Sequence, residues 1–120
     1  LTDHDSIVKT LRSLMVNNEG VTHLNFTNAK IGLREASLIA EFLASDKCIV
    51  TDLYLSENNL WALDGATCIA DSMSKNRSII NLNLSKNGKS WDILGSLDNF
   101  VDHLAVAIEN HPCIRSINLS

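Results

Sequence analysis

The sequence predicts an α/β protein in which four short strands alternate with four helices along one domain of 120 residues. One strand-like skeleton occurs four times: an apolar residue, two others, a second apolar residue, one other and a third apolar residue. Each intervening segment carries apolar residues at the spacings of one helix face. The central apolar residues of the four skeletons are Leu24, Leu53, Leu82 and Ile117, at steps of 29, 29 and 35 residues.

The apolar residues of each predicted helix face form a stripe. The number of residues between a stripe and the next strand is nearly constant, with one residue inserted near positions 49–50. The first predicted helix spans residues 5–17. Repeats then begin near residues 21, 50 and 79, and a partial repeat begins at 114. Small residues are predicted where helix and sheet approach closely, namely Ala40, Ala70 and Ala105. The stripes are Val8, Leu11 and Met15; Ala36, Ile39, Ala40 and Leu43; Ala66, Ile69, Ala70 and Met73; and Val101, Leu104, Ala105 and Ile108.

The repeated skeleton resembles the leucine-rich repeat. The segment "VTDLYLSENNL" from Val50 follows the pattern LxxLxLxxNxL, and "IINLNLSKNGK" follows it through Asn87. The segment "VTHLNFTNAKI" has Ala29 at the asparagine position. A period near 29 with a full helix is similar to the ribonuclease-inhibitor-like class of these repeats. The resemblance implies one leucine-rich-repeat solenoid over residues 1–120, with parallel strands on the concave face and helices on the convex face.

The asparagines that end two strands have a structural explanation. A chain that turns from a strand toward a helix leaves backbone N–H and C=O groups without partners. An asparagine side chain can both donate and accept hydrogen bonds, so Asn58 and Asn87 are predicted to satisfy these groups.

Composition excludes several classes of function. The net charge of −4 argues against a nucleic-acid-binding protein, and the apolar runs are too short to cross a membrane. Cys48, Cys68 and Cys113 show no metal-ligand spacing, which predicts free thiols and a cytoplasmic location. We expect no catalytic residues, no metal and no cofactor, because phosphate-loop, GxSxG and HExxH motifs do not occur. The first residue is Leu, which suggests a piece of a larger protein.

The concave face is the first predicted binding surface. Side chains between the buried strand positions should form polar columns, with Tyr54 as an aromatic anchor. The second is an insertion over residues 88–100, where Trp91 either contacts a partner or packs on the rim; these two interpretations stay open, as they do for Trp61. The candidate partner-binding residues are His23, Asn25, Asp52, Tyr54, Glu57, Asn81, Asn83, Lys86, Trp91, Arg115 and Asn118.

The function expected is that of a non-catalytic protein-interaction module in a larger intracellular protein. Families with this repeat class offer concrete alternatives: tropomodulin-like proteins on actin filament ends, nucleotide-binding immune receptors, and bacterial effectors whose repeats act in a host cytoplasm. A second hypothesis is a Ran-type GTPase-activating domain, for which Arg34, Arg77 and Arg115 are the available arginines besides Arg12. A third is a spacer. The edge of the last strand is also a hypothetical site of self-association.

Overall fold

The computed structural model describes residues 4–18, 20–58, 60, 65–87 and 96–119. Helices and strands alternate within these residues, as the sequence predicts. Helix α4 begins earlier than expected, so residues 96–100 of the predicted insertion are helical. The elements are α1 (His4–Val16), β1 (His23–Asn25), α2 (Leu33–Ala44), β2 (Asp52–Tyr54), α3 (Gly65–Ser72), β3 (Asn81–Asn83), α4 (Ser96–Ile108) and β4 (Ser116–Asn118).

The strands form one parallel sheet whose spatial order follows the chain, β1–β2–β3–β4. Each strand pairs with the next in the register that the repeated skeleton predicts, so Leu24 lies beside Leu53 and Leu53 beside Leu82. The last pair aligns Leu82 with Ile117 despite the longer connection. Equivalent residues of successive repeats therefore lie in straight rows across the sheet.

The core lies between one face of the sheet and the helices. The helices also lie side by side in chain order, α1 against α2, α2 against α3, and α3 against α4. Phe26, which follows β1, and Phe42 of α2 are fully buried in this layer, together with Leu53 and Leu55. Full burial of one such apolar side chain contributes about 1.5–3 kcal/mol. Because the buried strand positions alternate with polar ones, the opposite face of the sheet remains polar.

The last repeat is less covered than the inner repeats. Ile117 of β4 is only half-buried, whereas Leu82 beside it is 1% exposed. The prediction that Ala105 packs closely is wrong: it is exposed, while Ala70 is buried and Ala40 is half-buried. The reason is that, among the described helices, α4 packs chiefly against α3. Strand β4 forms an edge of the described sheet, and self-association through it stays a prediction.

Two buried asparagines hold the turns that follow the strands. Asn58 Oδ1 accepts hydrogen bonds from the N–H groups of Ala29 and Ile31, at 2.9 and 3.1 Å. Its Nδ2 donates to three carbonyl oxygens of the two turns that it joins. Asn87 repeats this pattern one repeat later, accepting from Asn58 N and Leu60 N. The structural role predicted for both asparagines is confirmed.

The turns after β2 and β3 each place one charged residue in the left-handed backbone region. Glu57 has φ 61° and Lys86 has φ 55°. Asn28, in the first repeat, also lies in this region, with φ 51°. Residues other than glycine adopt this backbone region at a cost of about 1–2 kcal/mol. The hydrogen bonds of Asn58 and Asn87, which follow them in the chain, hold the backbone in this conformation. Glu57 and Lys86 therefore lie exposed at the edge of the sheet.

Candidate protein-interaction surface

The polar face of the sheet gathers most of the predicted binding residues. We call it the strand face. Its first row aligns His23, Asp52, Asn81 and Ser116, and its second row aligns Asn25, Tyr54, Asn83 and Asn118. Neighbouring parallel strands lie about 4.8 Å apart, so each row presents side chains at that interval.

Asp52 is the centre of a hydrogen-bond network on this face. Its Oδ1 accepts from Thr51 Oγ1 at 2.8 Å and lies 3.6 Å from His23 Nε2. Its Oδ2 accepts from Asn81 Nδ2 at 3.0 Å and, more weakly, from the Tyr54 hydroxyl at 3.4 Å. One carboxylate therefore links side chains from three adjacent strands.

This network holds the Asp52 carboxylate ionised. Hydrogen bonds from Thr51 and Asn81 lower its pKa, burial opposes them, and the His23 imidazole and the Tyr54 hydroxyl add smaller decreases. Thr51, Asn81 and Tyr54 donate hydrogen bonds to this carboxylate, and the His23 ring lies within ion-pair distance of it. Asp52 is therefore suited to orient Tyr54, Asn81 and His23 as one rigid polar group.

The asparagines of the second row have a structural use beside any binding role. Asn25 Oδ1 accepts from Thr27 N at 2.9 Å, and Asn83 Oδ1 accepts from Ser85 N at 3.0 Å. Each oxygen thereby ends its own strand in an Asx-type turn. Asn118 is exposed at the same position of β4. Tyr54 cannot make this turn, and its ring is half-exposed among amide neighbours.

The remaining predicted binding residues lie around the edges of the strand face. Glu57 and Lys86 are exposed on the turns after β2 and β3. The sequence predicts Arg115 on the strand face, but Arg115 lies one residue before β4, where its N–H donates to Ile80 O at 2.9 Å. Arg115 is exposed at the edge of the sheet where the strands begin, opposite the turns that carry Glu57 and Lys86. Trp91, Trp61 and residues 88–95 of the predicted insertion lie outside the described residues.

A second polar chain, which the sequence did not reveal, joins the turns that precede β3 and β4. Asn76 is 1% exposed; its Nδ2 donates to Leu43 O, and its Oδ1 accepts from Ile79 N. The His111 Nε2 lies 3.1 Å from the same Oδ1. The His111 Nδ1 accepts from Cys113 N and Ile114 N at 3.1 and 3.0 Å.

These contacts determine the state of the His111 ring. Because Nδ1 accepts two N–H groups, the proton of the neutral ring is on Nε2, which donates to Asn76. Burial lowers the pKa of His111, and the positive charge of Arg77 lowers it further. The signal was present in the sequence: Asn76 and His111 are separated by 35 residues, the same step as the strands that follow them.

The described residues offer no site for a metal ion. Within them, no group of three or more His, Cys, Asp or Glu side chains could hold a metal ion. Cys48, Cys68 and Cys113 are free thiols. None of the described helices is long and apolar enough to cross a membrane.

Comparison with known proteins supports the fold alone. No protein-family model matches the chain. No curated protein matches it either. Among solved structures, the actin-binding site 2 of leiomodin-1 is similar, with a TM-score of 0.70 over 92% of this chain. The sequence identity is 20%, and the match spans 61% of the leiomodin chain. The similarity supports the α/β architecture described above.

Proposed function

We propose that this domain is a non-catalytic protein-interaction module, a solenoid of the leucine-rich-repeat type whose strand face binds a protein partner. The observation that carries the proposal is the Asp52 network. Thr51, Asn81 and His23 surround the carboxylate that the Tyr54 hydroxyl contacts. A half-exposed tyrosine held in this way brings a large contact area at low entropic cost, which is typical of interface anchors.

The stacking of repeats supports the same function. Every row of the strand face carries residues at equivalent positions of successive strands, so the surface is extended and polar. Repeat proteins of this kind bind partners across such a surface rather than in a pocket. Actin is the first partner to test, because the solved structure of similar fold is an actin-binding site of leiomodin-1.

The expected result is that the purified domain binds actin and that Tyr54→Ala weakens binding about tenfold to thirtyfold, the effect of losing an aromatic anchor. Binding is measured by co-sedimentation with filaments and by fluorescence titration of monomeric actin. Ser37→Ala, at an exposed position of α2, is the matched control and should bind as the wild type does.

Two outcomes would contradict parts of this proposal. Saturable binding that Tyr54→Ala leaves unchanged would move the interface away from the strand face. Failure of the wild type to bind either form of actin would reject actin as the partner. Affinity capture from lysate, comparing the same three proteins, would then ask whether any partner depends on Tyr54.

The GTPase-activating alternative gives a separate prediction. We expect that adding the domain to a Ran-type GTPase leaves the rate of GTP hydrolysis unchanged. Arg77 Nη1 donates to the carbonyl oxygens of Ser74 and Asn76, so this guanidinium is bound to its own turn. A single-turnover assay of phosphate release checks this, and acceleration that Arg34→Ala or Arg115→Ala abolishes would reject the non-catalytic function.

A further inference from the structure

A groove lies at the edge of the sheet where the strands begin, opposite the turns that carry Glu57 and Lys86. We call it the rim groove. Its lining includes apolar side chains, two thiols and two basic side chains: Ile49, Ile80, Cys48, Cys113, Lys75 and Arg77. These residues come from the loops that precede β2, β3 and β4. The groove is therefore a product of stacked repeats. It meets the strand face at Thr51, while Tyr54 lies outside its lining.

The apolar part of the groove is open to solvent. Ile49 is 42% exposed, which is unusual for an isoleucine beside buried neighbours. Ile80 is half-exposed one repeat on, at the position that corresponds to Thr51. The thiols do not bridge the groove, because Cys48 Sγ contacts Ser78 Oγ at 3.5 Å and Cys113 Sγ donates to Arg77 O. The two isoleucines thus offer an uncovered aliphatic surface.

The charged part of the groove is positive. Lys75 and Arg77 are exposed, and no acidic side chain lies within ion-pair distance of either in the described part of the chain. Arg77 is held in place by its bonds to two carbonyl oxygens. Arg115 adds a further exposed cation before β4, while Asp46 is the acidic residue of the lining. This edge is basic in a chain whose net charge is −4.

We propose that the rim groove binds an acidic peptide segment of a protein partner, with carboxylates on Lys75 and Arg77 and an aliphatic side chain on Ile49 and Ile80. The positive charges of Lys75 and Arg77 favour a negatively charged occupant. The aliphatic surface selects a peptide over a nucleic acid, because the lining contains no aromatic side chain on which a base could stack.

The test is fluorescence anisotropy with a labelled ten-residue peptide of alternating Glu and Leu, added to the folded domain. Binding should be saturable and should weaken as NaCl rises, because salt screens exposed charges. Lys75→Glu and Ile49→Ser should each weaken it about fivefold to tenfold. Arg34→Glu, an exposed charge reversal in the first turn of α2, is the matched control and should change affinity less than twofold.

The result also separates this site from the strand face. Tyr54→Ala should bind the peptide as the wild type does, so loss of actin binding and loss of peptide binding are independent results. The absence of saturable binding, or equal losses for Lys75→Glu and Arg34→Glu, would overturn the proposal. Displacement of the peptide by a single-stranded oligonucleotide, with Ile49→Ser having no effect, would replace it with an electrostatic site for nucleic acid.

Discussion

Replacing Asn58 by alanine is expected to lower the free energy of unfolding by about 3–5 kcal/mol, the largest effect of any single polar substitution considered for this domain. The Asn58 side chain makes five hydrogen bonds, two accepted by Oδ1 and three donated by Nδ2. All are buried. Each backbone group left without a partner in the interior costs about 1–3 kcal/mol, although local rearrangement and water recover part of this.

Urea unfolding at neutral pH, followed by circular dichroism, measures this loss. Asn87→Ala should show a similar decrease, because Asn87 makes the same set of bonds one repeat later. Asn110→Ala, at an exposed position after α4, is the control and should stay within about 0.5 kcal/mol of the wild type. A decrease below 1 kcal/mol for both buried asparagines would contradict the structural role that the turns assign to them.

Acid should destabilise the domain through His111, which is the second large effect. The folded protein holds the ring neutral, with Nδ1 accepting two backbone N–H groups, and burial lowers its pKa below the ordinary value of 6.5. The unfolded chain therefore binds the proton first as the pH falls. The contribution of His111 to the free energy of unfolding is therefore fully present above pH 6.5. It decreases as the pH falls below 6.5, until the folded protein also becomes protonated.

The matched variant for this prediction is His111→Asn. Asn76 occupies the same place before β3, and its Oδ1 accepts from Ser78 N and Ile79 N as the His111 ring accepts from Cys113 N and Ile114 N. An asparagine at 111 can therefore keep the turn while removing the titrating group. The variant should lose some stability at pH 7.5, because the bond from His111 Nε2 to Asn76 is lost.

The measurement is urea unfolding from pH 7.5 to pH 5, and the slopes are compared. One titrating proton contributes at most about 1.4 kcal/mol per pH unit, so the wild type should lose stability faster than the variant over this range. Asn110→Ala, which changes no titrating group, is the control and should retain the slope of the wild type. Asp52 does not interfere: its lowered pKa means that its contribution is lost as the pH falls below its ordinary value of 3.8. Parallel slopes for wild type and His111→Asn would contradict the prediction.

The strand register and the turn asparagines followed from the sequence. Both repeat at a fixed step, because each repeat must present the same apolar face and the same turn to its neighbour. Leu24, Leu53 and Leu82 share one period, so aligning them also aligns His23 with Asp52 and Asn81. The boundary of α4 and the exposure of Ala105 did not follow from that period. They depend on how far a helix extends and on what packs against it.

The polar networks were decided by the tertiary structure. Nothing in the spacing of Asp52 shows that its carboxylate contacts Thr51, Asn81 and His23 rather than solvent, because side-chain rotamers settle in the presence of all their neighbours. The bond between Asn76 and His111 and the rim groove likewise require loops 28–36 residues apart to meet. The sequence by itself determined which residues are equivalent, because equivalence is periodic. Only the folded chain determined which of them touch, because contact depends on distance in space.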